Sequence, residues 1–316
     1  MRALTACLMA SLILTTLAHA DTSAGLPAAY LRTGWGPRAG ALGNALVAGA
    51  QGPDALYWDP AALASQGRPA LASSYDWMSL QRQFNSAGLV IPWQFSDAVD
   101  ANDASPGQAG KNPVGVFSLG WTDFSLGNDF EGRTTDTASF YTFGDRQDAY
   151  SLGFGRNMLD WWQLGAAFKV YQHDLDVYHA NGWGMDLGTR LLIDPRLTFA
   201  ADAQDLGASL TWNTGTRENI PWTLRVGFWG VLWPSVWDLG LQAQEVESGG
   251  VDGSIGSEFH ILKIVDLRLG WMSQGLTFGA GLKVQVSKLS LHVDYAYLPD
   301  ALDLGADQRV GVRIDF

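Results

Sequence analysis

From about Pro69 to its last residue, the chain alternates apolar and polar residues with a period of two. Leu276, Phe278, Ala280, Leu282, Val284 and Val286 share one face of a segment. Gly275, Thr277, Gly279, Gly281, Lys283 and Gln285 share the other. Leu289, Leu291, Val293, Tyr295 and Tyr297 stand opposite Ser290, His292, Asp294 and Ala296. Val310, Val312, Ile314 and Phe316 oppose Gly311, Arg313 and Asp315. Such alternation marks strands whose two faces meet different surroundings. A soluble sandwich also alternates, but its strands average about 5–6 residues. These run to about 9–12, the length of a tilted strand that crosses a bilayer. The pattern therefore predicts an all-β chain, a closed transmembrane antiparallel β-barrel of about 14 strands. Apolar side chains would face lipid, and Gly, Asp, Arg and Gln the lumen. Closure satisfies every backbone group where no water is available.

Composition supports this inside-out arrangement. Charged residues make up only 16% of 316, hydrophobic residues 47%, and 37 are glycine. With net charge −12, the chain lacks the basic face of a nucleic-acid binder. A single cysteine, Cys7, excludes a disulfide scaffold or a cysteine-ligated zinc site. Tryptophans at strand ends fit interfacial girdles: Trp77, Trp93, Trp121, Trp161, Trp162, Trp222, Trp233, Trp237 and Trp271. Two longer connections are expected, a polar one over 96–112 and another over 128–148. Long loops on one side and short turns on the other are usual in outer-membrane barrels.

The N-terminus divides in two. Arg2, an uncharged apolar stretch from Leu4 to Leu17, and Ala18-His19-Ala20 read as a signal peptide over 1–20. Residues 21–66 do not alternate, are rich in Ala and Gly, and contain Pro27, Pro37, Pro53 and Pro60, which argues against strands. The segment is too apolar to hang free, so it is read as a plug in the lumen, with the barrel over 67–316. Short helical turns are expected at Ala41–Ala48 and at Pro60–Ala64, the latter capped by Asp59.

The plug carries a resemblance. Arg38-Ala39-Gly40-Ala41-Leu42-Gly43-Asn44-Ala45-Leu46-Val47-Ala48, followed by Ala55-Leu56-Tyr57-Trp58-Asp59-Pro60-Ala61-Ala62-Leu63-Ala64, resembles the N-terminal signature of the FadL/PorV-like superfamily of outer-membrane barrels. Asp59 stands where that superfamily usually has Asn, Ala62 where it has Gly, and Leu42 where it has Met. The closing hairpin, Leu289–Tyr297 and Arg309–Phe316, is similar to that of the PorV/PorQ-type branch. The chain is also shorter than a typical long-chain fatty acid transporter, which again favours that branch. The resemblance implies a 14-stranded barrel blocked by its plug. In the transporter branch a hydrophobic ligand binds near the plug and leaves sideways through the wall. In the PorV-like branch the barrel serves as an accessory or shuttle of protein secretion.

Function follows in outline. The location expected is the outer membrane of a Gram-negative-type bacterium, with the lipid bilayer as surroundings. The terminal aromatic Phe316 resembles the signal read by the barrel-assembly machinery. The partner is a hydrophobic ligand or a set of secretion proteins. A structural barrel without flux is a third possibility. Arg38, Tyr57, Trp58, Asp59 and Pro60 are the candidate ligand or plug contacts. Arg190, Asp202, Arg225, Glu258, Asp266, Arg268, Lys283, Asp294 and Arg313, together with Asp186 and Asp315, fall on the lumen phase as charges that hold the plug or line a channel. Arg38 is the natural partner for an acidic wall residue. No enzyme, cofactor or metal is expected: no nucleophile–base pair is visible, and the histidines lack metal-ligand spacing. His173-Asp174-Leu175-Asp176 reads as a solvated acidic loop. Gly153-Phe154-Gly155 and Gly279-Ala280-Gly281 lie inside strands, where they leave room beside a packed plug.

Overall fold

The computed structural model describes residues 26–93, 115–132, 140–247, 249–261, 264–300 and 305–316. The proposed signal peptide lies outside the described residues. The strands are β1 (Ala70–Trp77), β2 (Arg82–Trp93), β3 (Gly115–Gly132), β4 (Tyr141–Leu159), β5 (Trp162–Leu175), β6 (Tyr178–Asp194), β7 (Leu197–Trp212), β8 (Arg217–Asn219), β9 (Thr223–Trp233), β10 (Trp237–Val246), β11 (Val251–Ile261), β12 (Val265–Met272), β13 (Gly275–Val286), β14 (Leu289–Pro299) and β15 (Ala306–Asp315).

Each strand pairs antiparallel with its neighbours, and β1 pairs with β15 from Ala70↔Asp315 to Trp77↔Gln308, which closes the sheet. The barrel has 14 positions, because β8 and β9 share one. The first part of β7 pairs with β9 and the end of it with β8. Pro221 lies in the break between β8 and β9 and has no N–H to offer a ladder. Opposite the break, β7 bulges at Asp205 and Gly207, both with positive φ.

The outer face is apolar. Leu152, Trp183, Leu187, Leu269, Leu276 and Leu282 are all exposed, as a lipid-facing band requires. Trp77, Trp93, Trp161 and Trp233 stand exposed at strand ends. None of the described helices is long and apolar enough to cross a membrane.

The two long connections sit differently from the expectation. The β2–β3 connection leaves from the rim that carries the C-terminus, while the β3–β4 connection is at the opposite rim. Most of 128–148 is not loop: β3 continues to Gly132 and β4 begins at Tyr141. The alternation is lost there because the strands outrun the lipid. Gln172, Asp174, His179 and Asn181 continue the outward phase at the same end of β5 and β6 and are exposed, so polar residues there replace apolar ones on the outer face.

Residues 26–69 fill the lumen with short helical turns. Pro60–Ser65 packs on β4, β5 and β6, and Pro37–Ala41 on β12 to β15. Asp59 caps the former, its side chain accepting from the Ala61 N–H at 2.9 Å. The turn expected over Ala41–Ala48 is interrupted. The helix ends at Ala41, the chain reverses through Gly43 and Asn44 at φ 64° and 63°, and a 3-10 turn follows at Val47–Gly49. A β-carbon on Gly43 would lie 2.6 Å from the Trp271 carbonyl oxygen, so neither the conformation nor the space admits another residue.

Candidate functional site

The site is the surface along which plug and wall meet. Glycines on the lumen face make that contact possible. Gly155, Gly165 and Gly188 are level with one another on β4, β5 and β6. Side chains there would collide with Asp59, Pro60 and Ala61. A β-carbon on Gly165 would come within 2.1 Å of the Pro60 carbonyl carbon. Gly240, Gly256 and Gly270 form a second level row on β10, β11 and β12, against Leu42, Gly43 and Ala45. Gly153 and Gly279 make the same allowance for Leu56 and Ala41.

Charged side chains lock the two surfaces. Arg38 reaches Glu258 at 2.6 Å and donates to the Gly49 carbonyl at 2.9 Å, with its guanidinium 5.1 Å from the Trp229 ring. Glu258 is shared with Arg268 at 2.7 Å, and Arg268 continues to Asp294 and Asp266. Arg309 donates to the carbonyls of Gly34 and Gly36 while paired with Asp76. The sequence reading missed Arg309. Its place on the alternating lumen phase, two residues before Gly311, was the available signal.

Arg225 organises a second cluster. It is fully buried, donates to the Tyr57 hydroxyl at 2.9 Å and to Gln244, and lies 4.9 and 5.0 Å from the Tyr57 and Trp58 rings. Tyr57 in turn donates to the Leu31 carbonyl at 2.7 Å and stacks on Trp35 at 5.8 Å. The indole of Trp58 donates to the Trp35 carbonyl, and that of Trp35 to Thr122 on the wall. Asp202 lies 3.8 Å from Arg225. Nearby, Lys169 sits between Asp186 and Asp205 at 2.8 and 3.0 Å. Burial pushes the Asp59 carboxyl up to about 7, with Arg190 and the Ala61 N–H opposing. Burial likewise raises Asp54 to about 6, against Arg313.

The remaining predicted charges divide. Arg313 and Asp315 meet His292 near the rim that carries the C-terminus. Lys283 has the lumen phase but is exposed at that rim, where water reaches the wall. His173 pairs with Asp145 at 2.8 Å, and Asp176 accepts from Tyr141, so the acidic stretch is divided between separate partners. Among the described residues, small cavities lie between plug and wall. One, of about 10 Å³, is lined by Leu31, Trp35, Leu56, Tyr57, Phe84 and Thr122 among others. Another, of about 20 Å³, is polar and lies beside Arg38, Asp54, Ser74, Ser86, Asp294 and Arg313.

A closed barrel with an apolar exterior and a plugged, charged lumen is a transmembrane barrel of the outer-membrane type. Among solved structures its fold is that of the FadL-type barrels. The Pseudomonas putida toluene transporter TodX matches with a TM-score of 0.57 at 12% identity, over 89% of this chain and 97% of that one. The Ralstonia pickettii toluene transporter TbuX matches at 0.54 and 14%, over the same shares. A Pseudomonas aeruginosa FadL homologue matches at 0.56 and 10%, again over 89% and 97%. No protein-family model matches the sequence, and no curated protein matches it.

Proposed function

We propose that the protein passes a hydrophobic small molecule across the outer membrane, with the aromatic cluster of Trp35, Tyr57 and Trp58 as its contact. The observation that carries this reading is an apolar, aromatic plug core set against a cavity in an otherwise charged lumen. The likeness in fold to two toluene transporters supports it. A drug-sized ligand needs a pocket of about 300–1,000 Å³. The cavity of about 10 Å³ holds one water, so passage requires the plug to shift. Export by residues 1–20 and assembly through Phe316 belong to the same reading.

The tight seal favours a second reading, an accessory or shuttle of protein secretion in which nothing small flows. Native mass spectrometry of the protein extracted gently from its own membranes separates the two. A bound hydrophobic molecule, lost on Tyr57→Ala or Trp58→Ala, is the expected result. A ligand-free barrel that carries large secretion proteins with it would replace the first reading by the second.

A further inference from the structure

One cluster on the lumen wall is only partly used by the plug: Glu258 holds Arg38, whereas Asp238 and His260 lie beside it on the wall. Asp238 on β10 is opposite Glu258 on β11, and His260, two residues further along the same face, is opposite Asp266 on β12. One ligand atom each from Asp238, Glu258 and His260 lie within 4.8 Å of one another. His260 Nδ1 is 2.6 Å from Asp266, and its Nε2 is 3.3 Å from Asp238.

We propose that Asp238, Glu258 and His260 bind one divalent transition-metal ion of the zinc type at the lumen mouth. Three features support this. The donor set, one imidazole and two carboxylates, suits zinc, and water would complete the coordination. Asp266 is placed as the outer carboxylate of a carboxylate–histidine–metal arrangement. An imidazole that gives its Nδ1 proton to Asp266 keeps its Nε2 lone pair for the ion.

Charge points the same way. Among the described residues, the carboxylates of Asp238, Glu258, Asp266 and Asp294 lie around the guanidiniums of Arg38 and Arg268 and the imidazole of His260. With the imidazole protonated, the four carboxylates still outnumber these three cations, so the described cluster favours a cation. Three N–H groups from Arg38 and Arg268 make four hydrogen bonds to the two Glu258 oxygens, so an ion bound there takes the place of one of them. The site is open to entry: Asp238, His260 and Asp266 stand at the ends of their strands and are partly exposed.

Binding exchanges the ion for the proton otherwise held by the imidazole between Asp238 and Asp266. Affinity should therefore rise with pH. The groups facing His260 are Asp238, Glu258, Asp266 and, beyond them, Arg38 and Arg268.

The test is calorimetric titration of the intact, detergent-solubilised barrel with zinc chloride, repeated with cobalt for its visible spectrum. One saturable site per chain is expected. His260→Gln and Asp238→Asn should each weaken it at least about 10-fold, and Asp266→Asn by about 10–100-fold. His173→Gln, which breaks a different histidine–aspartate pair, should leave it unchanged. Circular dichroism confirms that each variant keeps its barrel. Absence of saturable binding, or binding that survives both His260→Gln and Asp238→Asn, overturns the assignment. So does binding lost equally in His173→Gln.

Discussion

Residues 26–69 and the strands around them use the same kinds of side chain in opposite arrangements. In the plug, Leu42 and Leu63 are wholly buried, whereas Leu276 and Leu282 on the wall are 64% and 53% exposed. The wall instead buries Arg225 and Glu258, at 0% and 2%. The plug packs as a water-soluble domain does, and the wall is its inverse, because lipid rather than water lies outside it. The plug joins inward-facing wall residues such as Phe84, Val90, Tyr171 and Trp229 in one buried core, around which the barrel closes.

This contrast can be broken from either side. The largest effect is expected from Gly165→Leu. Its β-carbon meets plug backbone rather than a movable side chain, so the cost should exceed the usual ~1–3 kcal/mol of overpacking. Limited proteolysis should then open residues 26–69 while the β-sheet circular dichroism stays. Arg38→Ala removes one partner of a buried pair and should lower stability to denaturant by about 3–5 kcal/mol. Hydrogen exchange should rise first at Pro37–Gly49.

Asp59→Asn sharpens the comparison. The folded carboxyl is raised to about 7 by burial, so its contribution is fully present below about pH 4 and is lost as pH rises through about 7. Asparagine also caps helices. The variant should be more stable than the parent at pH 8 by on the order of 1–3 kcal/mol, and equal urea midpoints at pH 8 would refute this. The smallest effect belongs to Leu276→Ala on the lipid face, within about ±0.5 kcal/mol in detergent unfolding and with no change in plug protection.

Much of the wall was legible because lipid and lumen impose two chemistries on one strand. Gly275 to Val286 states both in twelve residues. The room left at Gly153, Gly155 and Gly279 was legible for the same reason. Where polar residues replace apolar ones on the outer face, as at Gln172 and Asp174 on β5, the code is silent and strand reads as loop. Pairings between strands were not legible. Arg38 announces a need for a carboxylate, but only register selects Glu258 from the acidic residues on the lumen phase. Register likewise brings Asp238 beside His260, which spacing along the chain conceals. Plug aromatics such as Trp58 were visible as candidates, yet their dependence on Arg225 rests on the fold.

The level row of Gly155, Gly165 and Gly188 has a consequence for assembly. The adjacent row is Phe154, Ala166 and Leu187. A slip of one residue exchanges the two faces. A mis-registered wall would thus offer Phe154 and Leu187 to the plug, which leaves no room for them. The plug is a gauge that fits only a correctly zipped barrel, so inserting it proofreads the sheet around it.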